Sequence, residues 1–266
     1  MPITIDWSRP WYASVHEAAV HVMEHTPWQS TLNQGCDAAR LTNRRGLSIR
    51  FVDQSRLPDG TAYETFIDAT GNVPTRDNLH DFFNALVWLG FPNTKGQLNA
   101  LQAREIERLG VGGSRGPVRD AATILDENGA YLVTDDSPQA QSLVTALRAH
   151  EWQTALVDQR DDFGRHVQVW LFGHALMEKL VHPYKSITAH VRVIRAPRTF
   201  FLTWTATTQR VWLDVQMANA LAAQDSTGIS TAQFTPLPVL GIPGWWHSQG
   251  PDFYADPTVF RTKSQI

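Results

Sequence analysis

The sequence predicts an α+β fold: a single, mostly helical domain with a short mixed sheet. Three observations carry that expectation. Apolar residues fall at helical offsets over long segments, above all 78–89, 94–109 and 207–223. Short runs near 47–52, 121–134, 167–172 and 187–195 read as strands set between helices. No internal repeat, heptad array or low-complexity tract breaks the pattern, and no linker divides it. A hydrophobic content of 42% over 266 residues fills one large core or two small ones. The missing linker favours one domain over 1–266, with 1–45 as a possible N-terminal extension and 235–266 as an irregular tail packed on the body.

The first helix is expected over Ser14 to Glu24, where Val15, Ala18, Ala19, Val22 and Met23 share a stripe. His16, His21 and His25 lie nearby without a close pair on one face, so they read as solvent-facing. Leu47 to Val52 alternates like a strand. Ala62 to Thr70 reads as a helix that Gly71 stops. From Asn78, Leu79, Phe82, Phe83, Leu86 and Leu89 form an apolar face, with Asp77 as the expected cap. Gly90 ends that helix, and Phe91-Pro92 turns the chain into a second one that Thr94 can cap. The other side of the first of these helices carries His80, Asp81, Asn84 and Trp88 near its positive N-terminal end.

Gly110 to Arg119 holds glycines, a serine and two arginines, Arg115 and Arg119, a loop able to cradle an anion with backbone amides. No Gly-Lys-Ser/Thr follows, so it is not a P-loop. Ala122 to Thr134 reads as a hairpin turning over Asp126 to Gly129. Turn chemistry explains Asp126-Glu127 there, which places that acidic pair outside the expected site. A helix from Pro138 to about Val157 follows, then a strand over Val167 to Phe172.

Gly173 begins a helix through His182, on which His174, Glu178 and His182 are spaced by four and share a face. Nitrogen and oxygen donors at that spacing suit a metal, and equally a solvated, ion-paired surface. In the first helical turn, the dipole keeps the ring of His174 neutral and able to ligate. Phe200 to Trp204 reads as extended. The helix over Thr207 to Ala223 is expected to turn Val211, Trp212, Val215, Ala218 and Leu221 inward.

Two functions follow from these residues. In the first the chain is an enzyme whose catalytic residues are His80, Asp81, His174 and Glu178. A divalent metal would be its cofactor, held among His80, Asp120, His174, Glu178 and His182. Arg76, Asn84, Arg115 and Arg119 would hold a small anionic substrate, and metal-assisted hydrolysis of a phosphate or carboxylate ester is the concrete reaction. His80, His174 and Glu178 are expected to meet across a pocket formed by two helix starts. In the second the chain is a non-catalytic binding module, with Trp88, Trp245, Trp246 and arginines forming a groove for a partner or single-stranded nucleic acid. A third, bland reading has the same polar residues tying buried helix ends together.

The formal charge of −3 gives no pull toward nucleic acid or an anionic membrane. No apolar run reaches the length of a membrane span, no signal peptide is visible, and one cysteine, Cys36, excludes an intrachain disulfide. A soluble cytoplasmic protein is expected. Several longer strings carry a family resemblance: Thr70-Gly-Asn-Val-Pro-Thr-Arg-Asp-Asn-Leu-His-Asp81, Phe83-Asn-Ala-Leu-Val-Trp88, Phe91-Pro-Asn-Thr-Lys95, Arg119-Asp120, Leu125-Asp-Glu-Asn-Gly129 and Phe172-Gly-His-Ala-Leu-Met-Glu178. With the Pro-Leu-Pro-Val-Leu-Gly-Ile-Pro-Gly-Trp stretch, they resemble the bacterial domain-of-unknown-function family 3025 over about residues 50 to 260. The resemblance implies a soluble bacterial protein, and it transfers no catalytic residue.

Overall fold

The computed structural model describes residues 4–23, 28–110, 116–223 and 229–263. A 3-10 turn at Pro10–Tyr12 leads into α1 (His16–Met23), α2 (Trp28–Ala38), β1 (Arg50–Asp53), α3 (Tyr63–Thr70), β2 (Asn72–Thr75), α4 (Leu79–Gly90), α5 (Pro92–Leu109) and α6 (Pro117–Asn128). Then come β3 (Gly129–Thr134), α7 (Pro138–Ala149), β4 (Val167–Leu171), α8 (His174–Lys179), β5 (Thr188–Arg195), α9 (Thr199–Leu202), α10 (Ala206–Ala222), β6 (Thr235–Pro238) and α11 (Pro251–Tyr254). Helix outweighs strand, and the class is α+β. The strands form two sheets rather than one. β1 and β2 make a small parallel pair, with Arg50 opposite Asn72. The larger sheet runs β4-β3-β5-β6 and is mixed: β3 is antiparallel to β4 and parallel to β5, and β6 is antiparallel to β5.

β3 is buried along its whole length, as its unbroken run of small and apolar residues requires of a strand covered on both faces. α6 packs on β3 and β5, α8 packs on both α4 and α6, and α5 lies behind α6. No helix among the described residues is long and apolar enough to cross a membrane.

Several local expectations are corrected. Residues 117–128 are helical, so Asp126 and Glu127 close α6 instead of turning a hairpin. Pro117 at the start and buried Ala121, Ala122 and Leu125 at helical offsets fix that choice. Gly129 makes the abrupt exit into β3, where a Cβ would stand 2.3 Å from the carbonyl oxygen of Leu125. α4 is capped by Asn78, whose Oδ1 accepts from the Asp81 N–H at 2.7 Å, while Asp77 accepts from the indole of Trp28 at 2.9 Å. Residues 199–202 are helical, not extended. α7 stops at Ala149, because His150 turns left-handed at φ 58°.

α10 buries Leu213, Met217 and Leu221, leaving Val211 and Val215 facing solvent. The choice of face belongs to Asp214, which is buried and caps α5, accepting from the backbone N–H groups of Asn93 (3.0 Å) and Thr94 (2.7 Å). Within 235–266, residues expected to be irregular supply β6, where Pro236 and Pro238 are tolerated because the strand lies at the sheet edge.

Candidate metal centre

Three helix ends converge. His80 lies in the first turn of α4, His174 opens α8, and Glu127 is in the last turn of α6. The joint is Gly173. A Cβ there would sit 2.5 Å from the carbonyl oxygen of Glu127 and 2.6 Å from the nitrogen of Asn128, so the start of α8 rests directly on the end of α6. The N–H of Gly173 and that of Phe172 both donate to the carbonyl of Gly129, at 2.8 and 3.1 Å. Backbone packing therefore sets the His174–Glu127 spacing, with Nε2 to Oε2 at 3.5 Å. From α4, His80 brings its Nε2 to 3.1 Å from His174 Nε2. One donor atom from each of His80, Glu127 and His174 lies within 4.8 Å of the others. Replacing Gly173 with Ala should push the two backbones apart, costing about 1–3 kcal/mol of stability as an overpacked contact does. Urea unfolding checks this; a change below about 0.5 kcal/mol would mean that the joint yields freely.

The proton inventory follows from the partners. Glu178, one turn along α8, has Oε2 at 3.0 Å from His80 Nδ1. In the tautomer with its proton on Nδ1, His80 donates to that carboxylate and keeps Nε2 as an acceptor. Burial pushes the imidazolium of His174 down to a pKa of about 3, so this ring is neutral. With His80 Nε2 unprotonated, His174 donates from its own Nε2. A cation between the rings would send that proton to Nδ1 of His174, which has no hydrogen-bond partner among the described residues and lies 3.9 Å from Asp126 Oδ1.

Behind His174 is a buried polar cluster. Lys95, 5% exposed, reaches Asp126 Oδ1 at 2.6 Å and Asn84 Oδ1 at 2.8 Å, and Asn84 donates to the hydroxyl of Tyr63 at 3.2 Å. Burial works to raise the Asp126 carboxyl, but the Lys95 ammonium at 2.6 Å outweighs it and holds it below the usual range. Glu127 is pushed up by burial and by the charge of Asp126. Glu64 is pushed up to about 7 by the same two causes.

His80, His174 and Glu127 open onto a cleft of about 300 Å³ whose wall also carries Tyr63, Arg76 and Asp81. Arg76 stands at its rim, held by Asp81 through its backbone N–H (2.7 Å) and Nε (3.0 Å).

Of the residues singled out from sequence, the fold brings His80, His174 and Glu178 together, with Arg76, Asp81 and Asn84 lining the same cleft. Glu178 contacts the far nitrogen of His80 instead of joining the donor cluster. His182 lies beyond α8, which ends at Lys179 three residues before it, and is exposed. Asp120 is exposed in the first turn of α6, two turns from Glu127, and does not line the cleft. Arg119 is on α6 rather than in a loop, beside a neighbouring cleft. His25 and Arg115 lie outside the described residues. Trp88 is 1% exposed beneath the Lys95 ammonium and lines no groove among the described residues, whereas Trp245 and Trp246 are half-buried, with Trp245 on the wall of a separate cleft.

Sequence reasoning missed Glu127, Asp126, Lys95, Tyr63 and Glu64. The helical period of Ala121, Ala122 and Leu125 was the signal for the first two. Lys95 sits among Leu98 and Gln102 on the buried face of α5, a position where a lysine needs a partner. A family model described as "Protein of unknown function (DUF3025)" matches residues 49–264. No curated protein and no solved structure matches the chain.

Proposed function

The chain belongs to the DUF3025 family, and from the geometry of its site we propose that it is a metal-dependent hydrolase acting on a small anionic ester, with one divalent ion held by His80, Glu127 and His174. The observation that carries this is the gathering of two imidazole nitrogens and a carboxylate oxygen within 4.8 Å beside a cleft. Two His and one Glu form the ligand set of hydrolytic zinc sites that keep a position open for water. The ion would supply a water of lowered pKa and a Lewis acid for the ester oxygen.

The protein's own groups would do the rest. Glu178 fixes the tautomer and orientation of His80, and Asp126 stands ready to accept from Nδ1 of His174 once that proton moves there. Arg76, already braced by Asp81, offers its remaining N–H groups to an anionic oxygen. Cytoplasmic residence is part of the proposal, and the single cysteine, buried Cys36, fits a reducing compartment.

Zinc titration of chelator-treated, untagged protein, followed by calorimetry, tests the reading. Wild type should bind one ion and His174→Ala none. Glu178→Gln should bind about 10–100-fold more weakly, as loss of an orienting partner does. Hydrolysis of phosphate and carboxylate esters should return with the metal. A wild-type protein that takes up no ion, or a His174→Ala protein that binds equally well, would remove the proposal.

A further inference from the structure

One face of α6 runs past the metal centre into a second cleft. Arg119, Thr123, Asp126 and Glu127 are spaced at i, i+4, i+7 and i+8 and line a cavity of about 310 Å³. Tyr63, Glu64, Asp126 and Glu127 are common to this cavity and to the one that holds His80 and His174. The two spaces therefore share a wall, with Glu127 at one end of a single helix face and Arg119 at the other. Eight residues of helix separate them by about 12 Å.

Arg119 is the cation on this face, and its charge acts on Glu64 across the cavity without bringing that carboxyl down to its ordinary range. Asp126 is matched by Lys95 at 2.6 Å. Glu127 is committed to the metal in the reading above. Glu64, with its carboxyl raised to about 7, is close to half protonated at neutral pH, and its Oε2 accepts from Asn99 at 2.7 Å. Arg119 forms no ion pair among the described residues, and its Nε is buried without a hydrogen-bond partner. A guanidinium on a cleft wall with a buried, unsatisfied N–H is a receptor for an oxyanion.

We propose that Arg119 anchors a terminal oxyanion of the substrate, a phosphate or carboxylate, on the same face of α6 as Glu127 and about two turns before it, while the bond cleaved lies beside His80, Glu127 and His174. This rests on the hydrolase reading for the position of the reacting bond, but the anion site itself needs no metal. It makes the substrate a two-ended molecule, with a labile ester at one end and a charged group at the other, and it separates the anchoring cation from Arg76.

The test is thermal unfolding of metal-free protein in chelator, with rising inorganic phosphate or acetate against sodium chloride at matched ionic strength. Wild type should gain Tm in proportion to the logarithm of phosphate or acetate concentration, and the anion that acts names the group. Arg119→Ala should lose that gain while keeping its zinc affinity within about threefold. Arg119→Gln, which retains the buried stem, serves if the alanine variant does not fold. His174→Ala and Arg76→Ala should keep the gain. Equal protection of wild type and Arg119→Ala, loss of protection in Arg76→Ala alone, or no protection of wild type by either anion overturns the proposal. Anion protection that survives in a protein taking up no zinc would uphold the Arg119 site while the metal reading fails, and zinc uptake without protection would do the reverse.

Discussion

Lys95→Ala should destabilise the protein by about 3–5 kcal/mol, the cost of stranding a buried charge. Lys95 is 5% exposed, and its ammonium lies 2.6 Å from Asp126, 2.8 Å from Asn84 and 5.5 Å from the ring centre of Trp88. Asp126 is itself buried and stands near Glu64 and Glu127. Without the cation, three carboxyl groups stand near one another with Asp126 buried beneath, and Asp126 must take a proton or draw in water. Urea denaturation at pH 7 should show a lower midpoint with a similar slope. Because the loss is an unpaired charge rather than a lost contact, a Lys95→Met, Asp126→Leu double variant should recover more than half of it. A single variant within about 1 kcal/mol of wild type would show that the cluster is wet and the pair worth no more than a surface bridge.

Removing Glu64 should expose a pH dependence that the intact protein hides. Burial lowers His174 from 6.5 to about 3, so the unfolded chain takes up that proton first as pH falls. The stability it contributes is complete above pH 6.5 and drains away below it. Glu64 goes the other way. Burial raises it from 4.5 to about 7, so the native state holds the proton more tightly, and its contribution is complete below pH 4.5 and lost as pH rises toward 7. Between 4.5 and 6.5 the two slopes oppose, each as steep as about 1.4 kcal/mol per pH unit. Unfolding free energies measured across that window on metal-free protein should therefore separate the variants. Relative to wild type, Glu64→Gln should gain stability with rising pH, and His174→Asn should lose it. A Glu64→Gln profile parallel to that of wild type would mean that Glu64 ionises normally in the folded state.

The sequence carried the helix-rich part of the fold plainly. α4 and α5 were legible because Leu79, Phe82, Phe83 and Leu86 keep the helical period up to a Gly and a Pro that punctuate it. The same cues misled at Asp126 to Gly129. An Asp-Glu-Asn-Gly string is good turn chemistry, yet it also ends a helix, and only the burial of Ala121, Ala122 and Leu125 against the neighbouring helices decides between them. Half of the site shared that fate. His80, His174 and Glu178 announced themselves by side-chain type and helix position. Lys95 and Glu64 did not, because what makes them notable is the neighbour each meets in the folded chain. α10 gives a third case. Its apolar residues ring the whole helix, and the inward face was chosen by Asp214, whose partners are Asn93 and Thr94 far back in the sequence.

The edge strand β6 sets what the rim of the large sheet offers to another strand. In the antiparallel β5–β6 pair, Val239 donates to the Ile187 carbonyl, so by alternation Leu237 and Thr235 also turn their backbone groups toward β5. Pro236 and Pro238 occupy the positions between, whose groups face outward, and neither has an N–H to offer. The outer rim of the large sheet therefore presents carbonyls without matching donors. A strand from a second molecule cannot complete a ladder there, so the two prolines guard against edge-to-edge polymerisation. During folding that guard arrives late. β5 and its partner β3 both precede Thr235 in the chain, and until β6 docks, the Ala189–Val191 stretch of β5 is an open edge.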